Sequence, residues 1–190
     1  KVDTIYIGGG TPSLVDAKFI EMIINKISQC FNVEKDAEIT IEFNPGTWNK
    51  EKINEYYKIG INRISIGLQS TNDKLLKLLG RIHDYNQFEE TYKMVREAGF
   101  KNINVDLMIG LPTQTLQDVE DSLNKIIDLN PEHISVYSLI VEEGTKMYDL
   151  INEGKLVLPD EEIERKMYWN VKNKLEENGY EHYEISNFAK

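Results

Sequence analysis

Three segments of this chain share one pattern: KIGINRISIG, EAGFKNINVD and ENGYEHYEIS. In each, a helical stretch ends at a glycine (Gly60, Gly99 or Gly179) and an apolar or aromatic residue follows. Glycine accepts the left-handed backbone angles that stop a helix, so the next residue can turn the chain into a strand. The inward strand positions then fall four and six residues after the glycine, at Ile64/Ile66, Ile103/Val105 and Tyr183/Ile185. The stretch Asn130-Pro131-Glu132-His133-Ile134 is expected to do the same, with the proline as the stop. Serial returns of this kind build a parallel sheet with helices outside it.

Short β-branched runs predict strands over residues 4–7, 38–43, 63–68, 103–108, 133–139 and 182–185, with amphipathic stretches between them. A helix is expected over 13–31, opened by Ser13 and Asp16, and another over 115–129, where Leu116, Val119, Leu123, Ile126 and Ile127 share a face. Thr115 and Asp118 form a capping pair at the start of the second. No linker or compositional shift divides the chain, which predicts one domain over 1–190. Five or six β-α units without a nucleotide fingerprint predict an α/β fold, an open or partial (β/α) barrel with parallel strands and outer helices. Such barrels place their chemistry where the carboxyl ends of the strands meet the loops.

Composition narrows the partners. The net charge is -10, and no Lys/Arg cluster interrupts the acidic background, which argues against a nucleic-acid surface. No apolar run approaches the roughly 20 residues that cross a bilayer, and no signal peptide is expected in these residues. Cys30 is the only cysteine. It can form neither an internal disulfide nor a cysteine cluster, which suits the cytoplasm, and it is expected to be a small buried thiol. The chain starts without Met and enters a strand at once, so it is expected to belong to something longer at both ends.

The strand ends carry residues that a core would not select. The first runs into Gly8-Gly9-Gly10-Thr11-Pro12, which matches neither the dinucleotide fingerprint nor a phosphate loop. The second carries Glu42 and the third Gln69, with Arg81 after the next helix. The fourth carries Asp106, and the fifth ends near Ser138 and Ile140. The carboxylates can accept from an ammonium group or from ribose hydroxyls, Gln69 can donate and accept, and Arg81 can clamp a carboxylate through two parallel bonds. A ligand rich in amines and hydroxyls is expected. Each of these residues alone also has an ordinary reading as a salt bridge, a cap or a solvated charge.

Together, GGGTPS, IEFNP, ISIGLQS, LLGRIHD, VDLMIGLPTQT and YEISNFA resemble the radical S-adenosylmethionine superfamily. More closely, they resemble the oxygen-independent coproporphyrinogen III oxidase family and its heme-chaperone relatives. The resemblance implies that Gly9, Gly10 and Thr11 belong to the turn that holds the amino group of S-adenosylmethionine. It implies further that Glu42, Gln69, Arg81 and Asp106 bind the same cofactor, and that the backbone at Ile140 meets the adenine. The family holds a [4Fe-4S] cluster through a C-x3-C-x2-C loop upstream of the first strand here, and those cysteines are absent. The cofactors implied are therefore S-adenosylmethionine, with the cluster and heme belonging to the full-length protein.

Two functions follow from the resemblance: a chaperone that binds heme and passes it to an accepting protein, and an oxidase that decarboxylates coproporphyrinogen III propionates to vinyls. The G-T-x-x-Y near Gly144, the L-P-D-E-E helix start and the closing YEISNFA favour the chaperone branch. A barrel aldolase or isomerase lacks a Schiff-base lysine at a strand end. His83, His133 and His182 make no metal motif, and each reads as a structural or surface residue or a heme ligand. Trp48 and Trp169 read as core or helix-packing residues. Tyr168, Trp169, Tyr180 and Tyr183 read either as a porphyrin groove or as ordinary packing.

Overall fold

The computed structural model describes residues 1–47 and 49–190, so the expectation for Trp48 falls outside the described residues. Seven strands form a sheet in the order β1-β2-β3-β4-β5-β7-β6. They are β1 (Val2–Ile7), β2 (Val33–Phe43), β3 (Arg63–Gln69), β4 (Asn102–Ile109), β5 (His133–Ser138), β6 (Glu181–His182) and β7 (Asn187–Ala189). The helices are α1 (Ala17–Cys30), α2 (Lys50–Lys58), α3 (Asp73–Leu78), α4 (Tyr85–Glu97), α5 (Leu116–Leu129), α6 (Lys146–Asn152) and α7 (Glu161–Glu177). β1 pairs with β2, and β2 with β3, in parallel, with Thr4 opposite Glu38 and Glu42 opposite Ser65. Among the described residues no helix is long and apolar enough to cross a membrane.

β3 and β4 alternate in residue type. In β3, Ile64, Ile66 and Leu68 are buried on one face, while Arg63, Ser65, Gly67 and Gln69 take the other. In β4, Ile103, Val105, Leu107 and Ile109 alternate with Asn102, Asn104, Asp106 and Met108. Parallel strands covered by apolar layers on both faces read as continuous hydrophobic runs. A polar face in a parallel strand therefore marks the side on which chemistry can be built.

The chain divides into two compact units. The first, residues 1–67 and 86–104, buries Ile20 and Ile24 of α1, Ile53 and Tyr56 of α2, and Phe88, Tyr92 and Val95 of α4. The Tyr56 hydroxyl donates to the Val15 carbonyl. Burial, assisted by Asp16 and Glu55, pushes the Tyr56 phenol up to about 12, which keeps it a donor. Asn62 ties the turn into β3 to β2: its Oδ1 accepts from the Ile39 N–H at 2.8 Å and its Nδ2 donates to the Ala37 carbonyl at 2.8 Å. Gly60 and Gly99 hold φ of 98° and 105°, the expected helix stops, and Ile64, Ile66 and Ile103 are fully buried.

In the second unit, residues 68–85 and 105–190, Thr115 and Asp118 close a capping box on α5, as the sequence predicts. Ser122 on the buried face of α5 receives the Thr71 N–H at 3.2 Å, and Asn72 Nδ2 donates to Asp118 Oδ1 at 2.7 Å. The stop after α5 is Asn130, with φ 58°, rather than Pro131. Asparagine tolerates the left-handed region, so the helix has already ended one residue before the proline.

Several expectations are corrected. Gly179 stops α7 with φ 83°, but the third helix-to-strand return does not give a parallel strand over 182–185. It gives the two-residue β6, a turn, and then β7, which runs antiparallel to β5 with Ile134 opposite Phe188. Phe188 and Tyr180 are buried there, whereas Tyr183 and Ile185 are exposed. Ser13 lies in a separate short turn (Pro12–Leu14), and α1 starts at Ala17 with Asp16 at the cap position, its side chain making no capping bond to the helix backbone. Cys30 is exposed, not buried. It lies off the stripe of Ala17, Ile20 and Ile24 through which α1 meets its core. Trp169 is also exposed on α7, its ring edge-on to Tyr168.

Candidate functional site

The glycine turn follows β1 directly, and Glu42 stands on the polar face near the end of β2. Glu42 Oε2 accepts from the Gly9 N–H at 3.0 Å, and Glu42 Oε1 accepts from the Tyr6 hydroxyl at 3.0 Å. The three glycines are bare for different reasons. A Cβ on Gly8 would lie 2.9 Å from Glu42 Oε1 and 2.9 Å from Tyr6 Cε1, so that position is empty to admit the carboxylate. Gly9 and Gly10 have φ of 88° and 48° with no atom within 4 Å of a would-be Cβ. Their constraint is the backbone conformation, and the space outside them is open to a ligand. Thr11 continues the turn, its Oγ1 accepting from Asn44 Nδ2 at 3.1 Å.

Because the Gly9 N–H faces a carboxylate, this turn does not have the donor array that binds phosphate at a helix N-terminus. It carries negative charge and main-chain acceptors, which suit an ammonium group. Deeper on the polar face of this unit, Asn104 Nδ2 donates to Ser65 Oγ at 2.7 Å and Asn102 Nδ2 to Glu38 Oε2 at 3.1 Å. Arg63 Nε lies 3.8 Å from Glu38 Oε2, with the Arg63 side chain 11% exposed.

In the second unit, Gln69 ends β3 with φ 76°, a left-handed conformation that is uncommon for a residue with a side chain. Its Oε1 accepts from the Tyr137 hydroxyl of β5 at 3.0 Å. Arg81 follows α3 through Gly80, and its N–H caps the Leu76 carbonyl at 2.9 Å. Burial lowers the Arg81 guanidinium below its ordinary range, while Tyr137 and Asp106 pull it back up, so these three groups feel one another. His83 is buried, with Nε2 3.4 Å from the Leu68 carbonyl. Burial first, then Arg81, lower its pKa, so the imidazole is neutral. Ile140 lies in the loop after β5, 76% exposed.

Within the first unit, then, Gly9, Gly10, Thr11 and Glu42 belong to one structure; within the second, Gln69, Arg81 and Asp106 share an electrostatic neighbourhood. Tyr6, Asn44 and Tyr137 were not singled out from sequence. The signal for the two tyrosines was the two-residue alternation of the strands, which places Tyr6 and Tyr137 on the polar positions of β1 and β5; Asn44, just past the end of β2, had no such signal.

An α-amino acid fits the glycine turn, given its open space and its carboxylate. An iron-sulfur cluster does not fit this chain: Cys30 is the only cysteine, and among the described residues no three His, Cys, Asp or Glu are grouped to hold a metal.

Comparison with known proteins gives the family and the fold. A family profile described as the radical SAM superfamily matches residues 1–126. The chain is 43% identical over 188 residues to a protein of Bacillus subtilis named heme chaperone HemW, covering 98% of this chain and 50% of that one. It is 38% identical to the Escherichia coli protein of the same name, covering 100% of this chain and 49% of that protein. The chain thus spans about half the length of the relatives it matches. Among solved structures, Escherichia coli coproporphyrinogen III oxidase (HemN), described as a radical SAM enzyme, superposes with a TM-score of 0.85 at 26% identity, covering 100% of this chain and 43% of that one. The alternating, mostly parallel strands and helices are accordingly those of a partial (β/α) barrel, and with the profile spanning residues 1–126 the chain belongs to the radical SAM superfamily.

Proposed function

We propose that this chain is the S-adenosylmethionine-binding core of a radical SAM heme chaperone. Gly9, Gly10, Thr11, Glu42, Gln69, Arg81, Asp106 and Ile140 are its cofactor-binding residues. The observation that carries the chaperone reading is identity of 38–43% along nearly the whole chain with proteins named heme chaperones, against 26% with the coproporphyrinogen oxidase. The cofactor assignment is supported by the acidic character of the glycine turn, where the Gly9 N–H donates to the Glu42 carboxylate.

When bound, S-adenosylmethionine supplies a sulfonium centre whose reductive cleavage yields a deoxyadenosyl radical. In this reading the Gly9–Gly10 main chain and the Glu42 carboxylate receive the ammonium end of the cofactor. Arg81 binds its carboxylate as a guanidinium, a pairing that is planar and bidentate. Gln69 and Asp106 hydrogen-bond the ribose, and the exposed backbone at Ile140 meets the adenine. The wider reading, a cytoplasmic protein that binds heme and delivers it to an accepting protein, applies to the full-length protein.

The test is to supply anaerobically reconstituted full-length protein with heme and, separately, with coproporphyrinogen III. A stable heme complex without turnover supports the chaperone. Protoporphyrinogen formed at enzyme-like rates overturns it in favour of the oxidase.

A further inference from the structure

Gln69 occupies an unusual position for a side-chain-bearing residue. At φ 76° it sits in the left-handed region, which costs a non-glycine residue roughly 1 kcal/mol or more and persists where the surroundings over-determine it. Two contacts do so. The His83 imidazole lies 3.4 Å from the Leu68 carbonyl, the carbonyl of the peptide bond that leads into Gln69. The Tyr137 hydroxyl donates to Gln69 Oε1 at 3.0 Å. Tyr137 and Asp106 occupy polar positions of β5 and β4, neighbours in the sheet, and both act on Arg81.

We infer that Tyr137 is a positioning residue of the cofactor site: by donating to Gln69 Oε1 it fixes the carboxamide so that its Nε2 hydrogens are the group offered to ligand. An amide is ambiguous, since rotation by half a turn exchanges a double donor for an acceptor. With the hydroxyl donating to the carbonyl end, as it does here, the Nε2 hydrogens face away from Tyr137. This commits Gln69 to acceptor atoms on its partner, such as ribose oxygens or adenine ring nitrogens. Tyr137 therefore acts on the ligand through Gln69, and the inference rests on the S-adenosylmethionine reading above.

The test uses full-length protein with its cluster and compares wild type, Tyr137→Phe, Gln69→Ala and the double variant. Affinity for S-adenosylmethionine is measured by calorimetry. The side-chain amide of Gln69 is followed by NMR without ligand. One neutral hydrogen bond is lost in Tyr137→Phe, which predicts about a five- to tenfold weaker affinity. The double variant should be little weaker than Gln69→Ala alone, well short of the product of the two single losses, because Tyr137 acts on the ligand chiefly through Gln69. In the ligand-free protein the Gln69 amide resonances should shift and broaden in Tyr137→Phe, a change that a merely structural tyrosine at that strand position would not produce. Losses that multiply in the double variant, wild-type affinity in Tyr137→Phe, or unmoved Gln69 resonances each overturn the inference. Wild-type protein that binds no S-adenosylmethionine overturns the cofactor reading instead, and the amide spectrum still decides whether Tyr137 holds Gln69.

Discussion

Replacing Gly8 with alanine separates two explanations of the glycine turn. Position 8 is not among the residues with positive φ, so alanine costs nothing there in backbone strain. Its Cβ would instead lie 2.9 Å from Glu42 Oε1 and 2.9 Å from Tyr6 Cε1. Both are ends of side chains that can move, and Tyr6 is 57% exposed. The carboxylate must swing away, and it then gives up its bonds to the Gly9 N–H and the Tyr6 hydroxyl, each 3.0 Å. Buried hydrogen bonds to a charged group are worth more than neutral ones, but these two are wet, so about 1–2 kcal/mol in total is expected. The assay is urea denaturation of the chain, with the variant made in wild type and in a Glu42→Ala background. In the Glu42→Ala background the cost of Gly8→Ala should fall below about 0.5 kcal/mol, since the displaced group is gone and Tyr6 is released. Gly9→Ala is the control. Its φ of 88° predicts a strain of about 1–2 kcal/mol that survives in both backgrounds. Equal cost of Gly8→Ala in the two backgrounds would refute the reasoning, because Glu42 would then not be what keeps position 8 bare.

Other expectations follow from the same geometry. Thr115→Ala removes the hydroxyl that accepts from the Asp118 N–H in the capping box of α5 and should cost about 1 kcal/mol in the same denaturation assay. His83 is held neutral by burial and by Arg81, with a folded pKa below its ordinary 6.5, so the unfolded chain binds more protons below about pH 6.5. Stability should therefore be intact above that pH and fall as the pH drops through it, and a His83→Gln variant should flatten that part of the profile. Arg81→Lys in full-length protein should weaken S-adenosylmethionine binding about tenfold or more, since an ammonium cannot reproduce the bidentate fork; unchanged affinity in calorimetry counts against the assignment. This 190-residue chain, reconstituted anaerobically with iron and sulfide, should show no iron-sulfur absorbance.

What the sequence made legible was set by local rules. The glycine stops at Gly60 and Gly99 and the capping box at Thr115 are short-range devices, and each sits where the residues predicted it. The parallel pairing of β1, β2 and β3 followed from them. ENGYEHYEIS misled because Gly179 fixes only where a helix ends, not the direction in which the next strand pairs. That direction depends on Phe188 reaching the buried position opposite Ile134, a contact between distant parts of the chain. Asn130 was passed over because Pro131 is the louder signal. Cys30 and Trp169 were assigned by residue type, although their helical phase puts both off the buried stripes of α1 and α7. In the candidate site, residue type picked out Glu42, Gln69, Arg81 and Asp106, but the supporting Tyr6 and Tyr137 come from strand alternation. Gly8 appeared to be one of three equivalent glycines, and only the position of Glu42 shows that it answers a different need.

The most direct measurement is a crystal structure of the full-length, cluster-bearing protein with S-adenosylmethionine. The account predicts main-chain atoms of Gly9 or Gly10 at the methionyl end of one cofactor molecule, with Gln69, Arg81 and Asp106 side chains within hydrogen-bond distance of that same molecule. A cofactor that touches the glycine turn and none of Gln69, Arg81 and Asp106, or the reverse, would contradict it.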